Sequence, residues 1–162
     1  MANKTTAQLK TGRDFVDVLD SYQNYNNIER RTTTGAFTIG DDTSLLSLAV
    51  DGAMTPTMPA AKVGRRLKVL WEVEQATNDR VFTAAGSDTF LGNIFTSIEV
   101  IANHTAGFSS SSTPIAGTTA AITVQDDTNI GSYLEFQCSQ DGQWLTTGHL
   151  VLDATGSAPT LA

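Results

Sequence analysis

SYLEFQCSQDGQWLTTGHL, residues 132–150, is the stretch whose reading decides the fold. Asp141-Gly142 sits at its centre, and glycine there accepts the positive φ that a tight hairpin turn imposes. On the first arm Leu134, Phe136 and Cys138 share one face, while Tyr133, Glu135 and Gln137 share the other. Trp144 opens the return arm, where it can pack across from the apolar face. The stretch also holds the chain's single cysteine and one of its two histidines, His149. A Cys138–His149 nucleophile and base is therefore the competing reading. A thiolate needs an electropositive, partly exposed setting, whereas Cys138 has an apolar strand face and the nearby carboxylates Glu135 and Asp141. The stretch reads as a hairpin, with the thiol as a small core hydrophobe.

The same period of two runs outward from this hairpin. In RLKVLWEVE, residues 66–74, Leu67, Val69, Trp71 and Val73 point one way and Arg66, Lys68, Glu72 and Glu74 the other, which is a half-buried strand. Leu46, Leu48 and Val50 mark a second, VFTAAG (81–86) a third and AITV (121–124) another. Ile94, Thr96, Ile98 and Val100 form one face of a strand whose opposite face carries Phe95 and Ile101. A strand apolar on both faces is either central in a sandwich or at a subunit contact. GDDT (40–43), AAGSD (84–88) and QDDTN (125–129) punctuate the strands. GFSSSSTPIAGTT (107–119) reads as a small-residue loop.

Residues 1–35 differ. Phe15, Val18, Leu19 and Tyr22 are spaced i, i+3, i+4, i+7 and predict a short amphipathic helix. Thr11 and Asp14 suit its capping pair. The expected organisation is an arm with one short helix (1–35), an antiparallel β-sandwich or barrel-like domain (36–155) and a flexible tail (156–162). At 162 residues, such a domain buries roughly 70% of its unfolded surface and needs no staples.

Charge excludes several partners. All ten Lys and Arg lie at or before Arg80, and seven carboxylates follow it. That second half repels a phosphate backbone, so no nucleic-acid groove is expected there. No run is long and apolar enough for a membrane span, and MANKTTAQLK lacks the apolar core of a signal peptide. The expectation is a chain that meets neither nucleic acid nor membrane and stays in a cytosol-like space. His104 and His149 are isolated, and no phosphate-cradling glycine loop opens a helix. Asp41-Asp42 and Asp126-Asp127 would chelate calcium only if their loops met; as neighbours at strand ends they read as turn formers. Asn103-His104-Thr105 fits a glycosylation acceptor but reads as a loop. No catalytic residue, metal or cofactor is expected.

Three segments in order carry a resemblance: VDGAMTPTMPAAKVG (50–64), TAAGSDTFLG (83–92) and GSYLEFQCSQDGQW (131–144). Their succession resembles small virion surface proteins of tailed bacteriophages, the capsid decoration (cement) proteins and related head- or tail-fibre modules. The resemblance implies an antiparallel β domain on the capsid exterior, often a homotrimer, bound to the major capsid protein and without catalysis. On that reading Phe15, Val18, Leu19 and Tyr22 anchor the arm to a shell or a neighbouring subunit, and Arg30 and Arg31 meet acidic shell residues. The alternative is a fibre receptor-binding module whose 104–119 segment meets a host glycan.

Overall fold

The computed structural model describes residues 27–76, 78–102, 105–153 and 158–162. These form twelve strands in two sheets, with no helix among them. The strands are β1 (Ile28–Arg31), β2 (Gly35–Thr38), β3 (Leu45–Leu48), β4 (Met54–Thr57), β5 (Arg66–Trp71), β6 (Arg80–Thr83), β7 (Thr89–Ala102), β8 (Thr105–Thr119), β9 (Ala121–Val124), β10 (Tyr133–Gln140), β11 (Gln143–Leu152) and β12 (Thr160–Leu161). One sheet runs β1-β3-β5-β10-β11-β7-β8 and the other β12-β9-β6-β4-β2. The mainly-β, two-sheet expectation holds. The predicted helix over Phe15–Tyr22 lies outside the described residues.

The antiparallel expectation needs correcting. β1 through β6 alternate between the sheets, so each new strand lies parallel to the one two before it. A chain that always crosses the sandwich in the same rotational sense has no other option. Its corners use the same Gly and Asp chemistry as hairpins, so the sequence does not distinguish them. From β7 onward hairpins take over: β7 pairs antiparallel with β8, and β10 with β11. The β10–β11 hairpin then joins the two halves. β10 pairs antiparallel with β5 of the wound half, and β11 pairs parallel with β7.

Two segments gain structure that their composition hides. Residues 107–119, read as a loop, belong to the edge strand β8, because β7 offers a continuous ladder from Ile115 to Thr105. The β body also begins before residue 35 and reaches past 155. β1 is the edge of the larger sheet, and β12 pairs with β9.

The core lies between the sheets. Leu67, Val69, Trp71, Leu134, Phe136, Cys138 and Trp144 are all at most 2% exposed, as their alternation predicts. Trp71, Phe82 and Phe136 form an aromatic chain that branches at Phe136 to Phe90 and, edge-on, to Trp144, with contacting centroids 5.8–6.4 Å apart. Contacts of this geometry add about 0.5–1.5 kcal/mol each beyond the area they bury.

Candidate interaction face

The Cys138–His149 pair fails on geometry. Cys138 faces inward opposite Trp144, whereas His149 faces outward opposite Tyr133. Five residues along β10 separate the two registers, about 17 Å at strand rise. Burial pushes the Cys138 thiol up from its ordinary pKa, with the Asp141 carboxylate adding to it, and Sγ donates to the Gln140 carbonyl at 2.9 Å. The calcium arrangement fails similarly. β2 and β9 run in opposite directions, so Asp41-Asp42 and Asp126-Asp127 close opposite ends of the sandwich. Among the described residues no three His, Cys, Asp or Glu gather as metal donors.

What stands out instead is the outer face of the larger sheet. Leu145 on β11 lies opposite Leu91 on β7, and two pairs further along His149 lies opposite Phe95. Leu91, Leu145 and Phe95 are 39%, 38% and 55% exposed. Thr147 and Asn93 lie between them, and Pro114 and Ser112 on β8 flank Asn93 and Phe95. His149 Nε2 and Ser97 Oγ are 2.7 Å apart, so the polar end of the strip is paired within the chain. None of the outward positions from 91 to 97 on β7, from 143 to 151 on β11 or from 110 to 114 on β8 carries a charge. The sequence singled out Phe95. It missed Leu91 and Leu145, whose signal is an apolar residue at outward parity beside the buried Phe90 and Trp144.

Elsewhere on that face, Lys68 and Arg30 are both paired. Lys68 Nζ lies 2.9 Å from Glu135 Oε1 and 4.6 Å over the Tyr133 ring. Arg30 donates to Glu72 at 2.7–2.8 Å, and Ser47 Oγ donates to the same carboxylate, which lowers the Glu72 pKa. On the inward side of β1, towards the other sheet, Arg31 pairs with Glu29 at 2.5 Å and caps the Phe37 ring of β2 at 4.0 Å. Both arginines assigned to shell contacts are thus engaged within the chain. Phe15, Val18, Leu19 and Tyr22 lie outside the described residues.

No protein-family model matches this chain, and no curated protein or solved structure matches it either.

The segments 50–64, 83–92 and 131–144 meet at one end of the sandwich. Asp88 Oδ2 accepts from the Ala61 amide at 2.6 Å, and Asp141 Oδ1 accepts from the Val63 amide at 2.9 Å. The Gly142 amide donates to the Ala61 carbonyl and the Thr89 amide to the Gly142 carbonyl, both at 3.0 Å. Gly64 donates to Cys138 and Cys138 to Arg65, each at 2.9 Å. The Asp141 carboxylate and a backbone ladder therefore clasp the 59–65 loop to the β10–β11 turn, and the Asp88 carboxylate clasps it to the connection before β7. The turn itself has the expected positive φ, +80° at Gly142. Val63, 66% exposed, is the most prominent apolar side chain at this end.

Proposed function

We propose that this chain is a non-enzymatic virion structural protein, a capsid decoration (cement) protein that binds the outside of a phage head and stabilises it. The observation that carries this reading is the exposed apolar strip of Leu91, Phe95 and Leu145 on the outer face of the larger sheet. Such a surface suits contact with another protein surface rather than the enclosure of a small substrate. The ordered resemblance of the three clasped segments supplies the phage context. In this role the protein acts by bridging. A sandwich crossed by an aromatic chain resists deformation, and each bound copy adds contact area across a capsomer joint. Its partners are then the major capsid protein and further copies of itself, as a homotrimer on the virion exterior, with neither nucleic acid nor membrane involved.

Co-sedimentation of the purified full chain with undecorated heads of its own phage tests this reading. The expected result is saturable binding and a higher temperature of head rupture. Absence of binding at saturating protein would overturn it. The alternative, a fibre module that binds a host glycan, would use Ser110, Ser111 and Ser112, exposed residues of the edge strand β8. Binding on a glycan array, lost when those three serines become alanine, would select that reading instead.

A further inference from the structure

We infer that the turn at residues 62–65 is where the protein grips its partner, and that the partner offers an acidic protein surface with an apolar recess for Val63. The inference rests on the head-binding reading. It adds which part of the chain meets the shell and what chemistry the shell presents there.

Three observations converge on this turn. The first is unpaired charge. Among the described residues, Arg30, Arg31, Arg65 and Lys68 each pair with a carboxylate, and Arg80 is buried. Lys62 and Arg66 are exposed and pair with none. A chain that otherwise matches its cations one by one leaves these two, four residues apart, open to carboxylates from elsewhere.

The second is an apolar tip. Val63 lies between the two cations in sequence, and at 66% it is the most exposed of the large apolar side chains among the described residues. Covering it removes apolar surface from water, a gain that the cations alone do not supply.

The third is rigidity. The Arg65 amide donates to the Lys62 carbonyl at 3.0 Å, closing a β-turn whose third residue, Gly64, has φ +87°. Positive φ at that position is what a type II turn requires. The Val63 amide donates to Asp141 and the Gly64 amide to the Cys138 carbonyl, each at 2.9 Å. Arg65 Nη1 donates to the Ala60 carbonyl at 2.7 Å. Every amide from 63 to 65 is therefore held, and Val63 is presented without a loop left to order on binding.

Carboxylates around the turn decide the class of partner. Asp42 and Asp141 are exposed, and Asp41 is held by Arg65. Duplex DNA carries one charge per ~1.7 Å and an anionic membrane a continuous negative surface, so either presses phosphates against these groups. A folded protein can instead set one carboxylate against Lys62 and another against Arg66, with an apolar recess between them.

The test is co-sedimentation of the full chain with undecorated heads, using variants of the turn. Val63→Asp should raise the dissociation constant at least about 10-fold, and so should Lys62→Glu combined with Arg66→Glu. Lys62→Arg combined with Arg66→Lys keeps both charges and should bind as the wild type does. Wild-type affinity should also fall as salt rises from about 0.1 M to about 1 M, where the Debye length shrinks from about 10 Å to about 3 Å. These side chains are exposed, so near-ultraviolet circular dichroism should show every variant folded. Undiminished binding by Val63→Asp or by the double reversal overturns the inference and leaves head binding standing. Loss of binding by Phe95→Asp, with the turn variants unaffected, does the same by moving the contact to the strip on β7 and β11. A wild type that binds no heads removes the head-binding reading and this inference with it. Wild-type capture by double-stranded DNA or anionic vesicles, lost on the double reversal, overturns the choice of a protein partner.

Discussion

Replacing Asp88 with alanine tests whether its carboxylate holds the 59–65 loop in place. The Asp88 carboxylate accepts from the amide of Ala61, a residue only 4% exposed, at 2.6 Å. A hydrogen bond to a charged acceptor contributes about 1.5–3 kcal/mol, and a buried amide left without an acceptor costs a similar amount. The loss should therefore be about 2 kcal/mol. For a chain of this length each kcal/mol moves Tm by roughly 2–4 °C, which predicts a fall of about 4–8 °C. Asp88→Asn keeps an acceptor oxygen without the charge and should lose about half as much. Asp141→Ala removes the matching bond to Val63 at 2.9 Å from the same loop. Because either loss frees the 59–65 loop, the double variant should be less destabilised than the sum of the singles. Calorimetry gives the Tm values, and hydrogen exchange reports on the Ala61 and Val63 amides directly. A shift below about 1 °C for Asp88→Ala, with Ala61 still protected, would refute the clasp as a structural element.

Gly92 has φ +138°, and a Cβ there would lie 1.9 Å from the Thr146 carbonyl oxygen. Gly92→Ala should thus cost about 3 kcal/mol or more, read as a lower urea midpoint; an unchanged midpoint would mean β7 and β11 are not in this register. Arg80 is fully buried, with Nη2 bonded to the Val50 carbonyl at 2.7 Å while Nε and Nη1 lack partners. Burial pulls its pKa down to about 10, opposed by the nearby Asp51 carboxylate. The unfolded chain then holds that proton more tightly, so this residue's penalty is full below pH 10 and shrinks as pH rises past it. Arg80→Met should therefore match or exceed the wild type in stability at pH 7. Its relative advantage should narrow as pH rises from about 10 towards 12, and a widening gap in urea melts would reverse the sign of the argument. Cys138 is 1% exposed with its pKa raised, so a thiol reagent should label it only as fast as the domain opens. Rapid labelling of the native protein at pH 8 would show the thiol to be accessible.

The legible part of this fold was the local part. Residues 66–71 and 133–150 declare which side chains go inward because alternation is written into each strand separately, and Asp141-Gly142 declares its turn by its own backbone preference. That was enough to place Cys138 in the core, where an apolar face and the nearby carboxylates Glu135 and Asp141 argue against a thiolate; the outward position of His149 came from the structure. The partner of each strand was not legible. GDDT at 40–43 looks the same whether the chain reverses within a sheet or crosses to the opposite one, so the parallel winding of β1 to β6 was hidden. Ser109–Ser112 has no pattern of its own and becomes strand because β7 supplies its ladder. The fate of Arg80 and of Phe95 depended on the same missing information. Parity put Phe95 on the face opposite Ile94, but only the packing of β11 beside β7 shows that this face is the outer one and brings Leu91 and Leu145 onto it. Alternation assigns a side chain to a face from within its own strand. What lies beside that face, and whether it is covered, is decided by contacts between residues distant in sequence.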